Sequence, residues 1–444
     1  MQKSLNNPWL IRFQRARDKL DDDVGKVIHI GSPIDVASAK NESMADKYMK
    51  EYLKGCFVVT AGVYKVVNEL IDHFENIASL RYPNEKYFSE TIHMEWRSFS
   101  QRLGIDEDQR IQPICIAGIS GAGKSTVVEY LFDLFGSSNE EVQTKSGSFE
   151  VLNWDCLSAK NHSTVTTVLK TSRFTLGGRR LEEYSKTAYV KGLIGFGVDE
   201  LQFMTKSTTA NSRITNLLMG LGDCLTPWFY VCNYSLLWRL LRRNDEDHAR
   251  IIPRVIHFKV GCGSTSQEIF RSQYQYVETL KSSISDLISN EDSFSEKVVL
   301  LSGGVPRNIR NLLSIANGVR YRKGCERIKI CHLETAYNTS EYANERAKVE
   351  LLNHTSDFLI RRKRFDMVFP PDLEAINDAT DGLDVHASNY NKLMMANLTS
   401  AERSELNRIK NRKDGKGRKF TKVISLNDVS RRSRLRAAYE ESLD

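Results

Sequence analysis

The stretch Gly118-Ile119-Ser120-Gly121-Ala122-Gly123-Lys124-Ser125 decides the fold of this chain. It fits the pattern G-x-x-x-x-G-K-[ST], in which the backbone N–H groups of a glycine-rich loop surround phosphate oxygens at the positive end of a helix. The run 111–117 before it is apolar and rich in β-formers, and 125–135 after it has helical apolar spacing. Strand, loop and helix in this order predict a nucleotide-binding loop rather than a simple tight turn.

The positions of this loop predict that it holds ATP together with Mg²⁺. Lys124 is expected to reach the β and γ phosphates, and the Ser125 hydroxyl is expected to bind Mg²⁺. Because the glycines let the backbone close around phosphate oxygens, the whole loop takes part. The residues predicted to bind the nucleotide are Gly118, Ser120, Gly121, Ala122, Gly123, Lys124, Ser125 and Thr126.

A P-loop protein that hydrolyses ATP needs a second strand that ends in acids, and Asp199 and Glu200 follow such an apolar strand. Asp199 is predicted to hold the metal shell, and Glu200 to polarise the attacking water. Asn233 ends another apolar run, where its amide could orient water. Arg307 begins a helical pattern from which its charge could reach the γ-phosphate. Alone, Asn233 would be a turn asparagine and Arg307 a surface arginine.

The chain divides into four regions by its patterning. Short apolar runs alternate with helix-length stretches over 105–262, which indicates a parallel sheet with helices on both faces. Helical patterns dominate 263–348 and predict a small helical lid. We expect 1–104 to be an N-terminal arm and helical region that contacts partners, and 349–444 to be a C-terminal extension with a basic tail. The predicted fold class is therefore α/β, with a P-loop core followed by a lid.

The composition, with 41% hydrophobic and 27% charged residues, is that of a globular protein. The net charge of +7 favours a polyanionic partner, and residues 401–444 hold thirteen Lys or Arg against seven acids. No apolar run reaches the roughly 18 residues that cross a bilayer, and the start lacks the apolar core of a signal peptide. We therefore expect a cytoplasmic protein without a membrane partner. The eight cysteines form no Cys-x-x-Cys pair, as is typical of a reduced protein without a zinc site.

Taken in order, these motifs resemble those of the AAA+ ATPases, with Walker A in the loop, Walker B at Asp199 and Glu200, sensor 1 at Asn233 and sensor 2 at Arg307. A narrower resemblance is to the TnsC/TniB family of AAA+ regulators of DNA transposition. The residues that carry it are Asn7-Pro8-Trp9, the loop with Thr126, the strand 151–156, Asp199-Glu200-Leu201-Gln202 and the segment 358–373. The chain departs from the family at Asn233, where threonine is frequent, at Gly197, which interrupts the Walker B strand, and in a shifted basic cluster near the last core strand.

The resemblance implies that neighbouring subunits share each active site through an arginine finger. Arg250 is the first choice for this finger and Arg254 the second. It also implies homo-oligomeric rings or helical filaments on duplex DNA, held by contacts to the DNA backbone. The positions that match such contacts are Lys160, Arg179 and Arg180, which could otherwise lie on a solvated helix face.

The implied function is an ATPase whose hydrolysis acts as an assembly switch, and which links a target-selection protein of TniQ type to the transposase subunits. Two alternatives stay open. One is another AAA+ switch on DNA, of the initiator or helicase-loader type, and the other is a P-loop kinase acting on a small molecule. The basic tail could bind either DNA or the transposase.

Overall fold

The structure, a computed structural model, describes residues 8–29, 34–86, 111–145, 147–160, 164–172, 181–201, 210–224, 226–243, 245–259 and 267–370. The helices of these ranges are α1 Pro8–Asp23, α2 Glu42–Gly55, α3 Ala61–Arg81, α4 Lys124–Leu134, α5 Val165–Leu169, α6 Leu181–Val190, α7 Ala210–Gly222, α8 Tyr234–Leu240, α9 Asp245–Ile251, α10 Gln267–Ser283, α11 Phe294–Ser302, α12 Pro306–Arg322, α13 Ile330–Tyr337, α14 Ala343–Leu352 and α15 Ser356–Arg361. The strands are β1 Val27–His29, β2 Cys56–Val58, β3 Ile114–Ala117, β4 Asn139–Thr144, β5 Gly147–Leu152, β6 Trp154–Ser158, β7 Gly195–Asp199, β8 Trp228–Cys232 and β9 Arg254–His257.

The central sheet, in the part of the chain described, has five parallel strands in the order β6, β7, β8, β3, β9. In its register Ala117 of β3 lies beside Cys232 of β8 and His257 of β9, and Val198 of β7 lies beside Tyr230 of β8. All four residues of β3 are buried, as expected of an inner strand in a parallel sheet. The carboxyl ends of β7, β8 and β3 therefore meet at one edge.

Two glycines in β7 make room for aromatic rings. A Cβ at Gly197 would lie 2.5 Å from the ring of Phe229, its neighbour on β8, and a Cβ at Gly195 would lie 2.8 Å from the ring of Phe74 on α3. Contacts this short do not occur between real side chains, so a larger residue would displace the rings. Glycine is therefore required at position 197 in β7, because the neighbouring ring of Phe229 leaves no room for a side chain.

The described start of the chain is a helix fixed to the core. The guanidinium of Arg12, which is 2% exposed, donates to the carbonyl oxygens of Leu152 at 3.1 Å and Gly192 at 3.1 Å and to Oδ1 of Asn153 at 2.8 Å. Trp9 packs over Gly192, where a Cβ would lie 1.5 Å from the indole. Although the sequence was expected to begin as an arm, α1 is held by buried hydrogen bonds and ring packing.

The N-terminal region that was expected to be helical contains a short strand in the structure. The short strand β2 separates α2 from α3 and pairs antiparallel with β1. Helix α3 buries Val67, Leu70 and Phe74 on the apolar stripe that its spacing predicts. Helix α2 instead buries Met49 and Leu53 in the apolar core of the helical unit.

The helical unit after the sheet is built on α12. Its residues Ile309, Leu312, Leu313 and Ala316 are each no more than 1% exposed and belong to one apolar cluster with residues from α10, α11 and α13. Pro306 begins α12, at a position where its missing N–H costs no helical hydrogen bond. Core and helical unit belong to one compact unit that ends at Phe369.

The segment after α15 returns to the core beside β9. Phe369 stacks on His257 with ring centroids 3.8 Å apart, and His257 Nε2 shares a hydrogen bond of 2.8 Å with the hydroxyl of Tyr234. The indole N–H of Trp238 donates to the carbonyl oxygen of Val368 at 2.8 Å. Since His257 pairs with Ala117, this segment is anchored next to the strand that leads into the P-loop.

Candidate functional site

The P-loop occupies residues 118–123, between β3 and α4. Gly121 and Gly123 have φ of +86° and +101°, the left-handed region that side chains rarely adopt. A Cβ at Gly118 would lie 3.0 Å from the carbonyl oxygen of Phe258, so a side chain there would require the end of β9 to shift by a few tenths of an ångström. The loop delivers its backbone to the N-terminus of α4, which is where a helix binds phosphate.

Lys124, the first residue of α4, folds back over this loop. Its Nζ donates to the carbonyl oxygens of Gly118 at 2.7 Å and Ile119 at 2.9 Å. Burial lowers the pKa of Lys124 to about 8, the positive charges of Lys348 and Arg307 act in the same direction, and Asp199 acts against them. A largely desolvated cation bonded to neutral carbonyls fits a site that receives an anion. Ser125, which follows it, is exposed and accessible to a metal ion.

The two acids lie where β7 ends. Asp199 is the last residue of the strand and Glu200 follows it, with its N–H donating to Oδ1 of Asp199 at 2.7 Å. Glu200 has a φ of 60°, which is rare for a residue with a side chain and costs about 1–2 kcal/mol. Glu200 takes this conformation directly after the strand, and both carboxylates are partly exposed there.

Asn233 follows β8, the strand that lies between β3 and β7. Its Oδ1 accepts a hydrogen bond from the N–H of Leu236 at 3.1 Å and so caps the N-terminus of α8. The helix cap orients the side chain, and the amide Nδ2 has the donor chemistry that a phosphate or a water requires.

Two cations of the helical unit reach the P-loop. The backbone N–H of Arg307 donates to the carbonyl oxygen of Gly121 at 3.3 Å, and its guanidinium lies 3.5 Å from the Ser120 hydroxyl. Nζ of Lys348, on α14, donates to the carbonyl oxygen of Ser120. Arg307 was predicted from the sequence and Lys348 was not. Its surroundings in α14 alternate acids and bases, as on any exposed helix, so no sequence signal distinguishes it.

The site residues therefore have the donor set that ATP and Mg²⁺ require. Three cations, Lys124, Arg307 and Lys348, bond to the P-loop, and Asp199 and Ser125 carry oxygen atoms of the kind that Mg²⁺ prefers. In the described residues no group of three or more His, Cys, Asp or Glu side chains could hold a different metal.

The two candidates for an arginine finger lie at the opposite end of the sheet. Arg254 is the first residue of β9 and pairs with Ile114, whereas the P-loop leaves three residues later, after Ala117. Three residues of strand span roughly 10 Å. Arg254 forms an ion pair with Glu69 at 3.1 Å, and Arg250 is exposed at the end of α9. Their backbones thus lie away from the P-loop of their own chain.

Of the residues matched to DNA contacts, Lys160 is exposed two residues beyond β6. Arg179, Arg180, Gln202 and the basic tail over 401–444 lie outside the described residues. Among the helices that are described, none is long and apolar enough to cross a membrane.

An inner P-loop strand, acids at the end of β7 and a helical unit that contacts the loop are the parts of one fold. It is an α/β P-loop fold. The fold class predicted from the sequence is confirmed.

No protein-family model and no curated protein matches the chain. Among solved structures it is similar to the RuvB Holliday junction branch migration motor of Thermotoga maritima, with 11% identity and a TM-score of 0.33 over 59% of this chain and 72% of that one. It is also similar to the ORC2 protein of Aeropyrum pernix in its ADPNP and ADP complexes, with 14% identity and a TM-score of 0.36 over 56% and 66%. Likeness this distant does not indicate an activity or a partner.

Proposed function

We propose that this chain is an AAA+ ATPase that assembles on duplex DNA in its ATP state and regulates DNA transposition. One arrangement best supports ATPase activity. The P-loop carries Lys124, the lid brings Arg307 to that loop, and the strained Glu200 follows a neighbouring strand at the same edge of the sheet. A loop that only turned the chain would need neither the lid contact nor the strain.

In this proposal each residue of the site has a separate role in ATP hydrolysis. A water held by Glu200 attacks the γ-phosphorus, the carboxylate takes the proton of that water, and the bond from the γ-phosphorus to the bridging oxygen breaks to give ADP and phosphate. Lys124 and Arg307 stabilise the negative charge on the phosphates, and Asn233 orients the water. Ser125 and Asp199 would hold Mg²⁺, which supplies further positive charge at the phosphates.

The position of the candidate fingers supports the proposed assembly. Because Arg250 and Arg254 begin at the sheet end away from their own P-loop, an arginine there serves hydrolysis by reaching the ATP of a neighbour. The neighbour's ATP then joins two subunits, and hydrolysis releases them. Lys160, with Arg179 and Arg180, would contact the phosphates of duplex DNA without reading its sequence.

The link to transposition rests on the sequence resemblance to the TnsC/TniB family. In this proposal the assembled chain joins a TniQ-type target-selection protein to the transposase, and the basic tail supplies a surface for DNA or for the transposase. Adding the chain and ATP to a strand-transfer reaction with a candidate partner transposase should direct insertion to selected sites. Insertion that does not depend on the chain would contradict this part alone.

Imaging by negative stain, with duplex DNA and a slowly hydrolysed ATP analogue, tests the assembly. The wild-type chain and Glu200→Gln should form oligomers on DNA, while Lys124→Ala should stay small. Glu200→Gln should also lower steady-state ATP turnover by about 100-fold or more, because it removes the general base. Single subunits under all conditions would favour a P-loop kinase, and a preference for single-stranded DNA would favour a helicase-loader relative.

A further inference from the structure

Lys348 belongs to none of the motifs identified in the sequence. It lies in the middle of α14, more than 200 residues from the P-loop, yet its Nζ is bonded to the carbonyl oxygen of Ser120 at the loop. A lysine amine has three donors on a flexible stem, so one hydrogen bond to a carbonyl leaves two for another acceptor. The acceptor that the P-loop is shaped to hold is a phosphate oxygen.

The helix that carries Lys348 is fixed to the helix that carries Arg307. Asn311 of α12 donates to Glu345 of α14 at 2.9 Å. Val349 is buried against Gly303, where an added Cβ would lie 3.4 Å from its side chain. Since these contacts join α14 to the start of α12, the amine of Lys348 and the guanidinium of Arg307 approach the loop as parts of one body.

The charges around Lys348 are unbalanced. Burial lowers the pKa of Lys348, and the positive charge of Arg307 lowers it further. The acids that act against this are bonded elsewhere, since Asp366 pairs with Arg364 at 2.9 Å and Glu345 accepts from Asn311. A half-buried amine with a neutral carbonyl as its partner, next to two other cations, is stabilised when a polyanion enters.

We propose that Lys348 is a second cation of the lid that binds the terminal phosphate of the nucleotide at the P-loop, alongside Arg307. The inference rests on the proposed ATP site and adds to it the means by which the lid distinguishes ATP from ADP. With the γ-phosphate present, Lys348 and Arg307 both have an anionic partner and the lid stays closed. With ADP, Lys348 keeps only the carbonyl of Ser120.

Fluorescence titration of the full chain with ATPγS and with ADP tests this role. Lys348→Gln should weaken binding of ATPγS about ten- to a hundredfold and change ADP binding by less than about threefold, as expected for the loss of one hydrogen bond between charged groups. Lys348→Arg should retain most of the preference for ATPγS. The matched control is Lys297→Gln, which removes a lid lysine whose partner, at 2.7 Å, is Glu334, and it should change neither affinity.

The outcomes separate the two proposals. A wild-type chain that binds neither nucleotide would overturn the ATP site and this inference with it. A wild-type chain that binds both, with Lys348→Gln weakening both equally or neither, would overturn the inference alone. Equal weakening would mean that Lys348 only latches the lid to Ser120, and a thermal unfolding midpoint lowered in Lys348→Gln but not in Lys297→Gln would identify that latch.

Discussion

The backbone N–H of Arg307 donates to the carbonyl oxygen of Gly121, with 3.3 Å between the two atoms, so the first turn of a lid helix is hydrogen-bonded to the phosphate loop. The approach is close enough that a Cβ on Gly121 would lie 3.1 Å from the Cβ of Arg307. Lid and loop therefore cannot shift separately by much. We expect a change in the loop on nucleotide binding to reach the lid through this contact.

Gly121→Ala should separate the lid from the loop more than Gly123→Ala does. Both glycines have positive φ, so both changes strain the backbone by about 1–2 kcal/mol, but only Gly121 has lid atoms within contact distance of its added Cβ. We expect Gly121→Ala to lower the free energy of unfolding by about 1 kcal/mol more than Gly123→Ala, because of the added overlap. Urea unfolding of the nucleotide-free chains measures this. Equal losses in the two variants would contradict the close docking of the lid.

The left-handed backbone at Glu200 predicts that stability and activity can be separated there. Glu200→Gly removes the Cβ that makes a φ of 60° costly, so the free energy of unfolding should stay equal or rise by up to about 1 kcal/mol. ATP hydrolysis, measured as the release of phosphate, should be lost. Glu200→Gln keeps the strain and should match the stability of the wild type while also losing hydrolysis. A glycine variant less stable than the glutamine variant would show that Glu200 is not strained.

Mixing two inactive variants tests whether the finger acts between subunits. Lys124→Ala keeps Arg250 and loses ATP, whereas Arg250→Ala keeps ATP and loses the finger. In an equimolar mixture roughly a quarter of the subunit interfaces combine an intact ATP site with an intact finger. Hydrolysis should therefore return in the mixture, although each variant alone is inactive.

Arg254→Ala is the comparison for this mixture. Arg254 pairs with Glu69 within its own chain at 3.1 Å, and an exposed pair of this kind contributes about 1 kcal/mol or less to stability. We expect Arg254→Ala to hydrolyse ATP nearly as well as the wild type. Activity in Arg250→Ala together with its loss in Arg254→Ala would assign the finger to Arg254 instead.

The P-loop and the strand that ends at Asp199 could be located from the sequence, as could the helix start at Arg307, because they depend on local backbone and on residue type at fixed spacing. The need for glycine at position 197 could not be predicted that way. It depends on the ring of Phe229 on the neighbouring strand, and the sequence of one strand does not determine its register with another. Lys348 and the buried Arg12 were missed for a related cause. Each is a charged residue whose partners are distant in the chain, and the sequence pattern of such a residue is that of an exposed helix face.

The partly buried ring of His257 predicts that the protein loses stability in mild acid. Burial, helped by the charge of Lys259, lowers the pKa of His257 from 6.5 to about 3. The unfolded chain then binds more protons than the folded chain between these two pH values, so the free energy of unfolding falls as pH drops below about 6.5. The loss is about 1.4 kcal/mol per pH unit for one such histidine.

His257→Gln isolates this contribution, because a glutamine amide can bond the Tyr234 hydroxyl as the ring does at 2.8 Å but does not titrate. His73, whose pKa burial lowers to about 4, stays in both proteins and contributes equally. Urea unfolding at pH 7, 6 and 5 should show a steeper loss in the wild type, with the difference between the two proteins changing by about 2 kcal/mol over this range. Parallel pH dependences would mean that His257 is not held neutral against Phe369, and that the segment ending at Phe369 is not anchored by this ring.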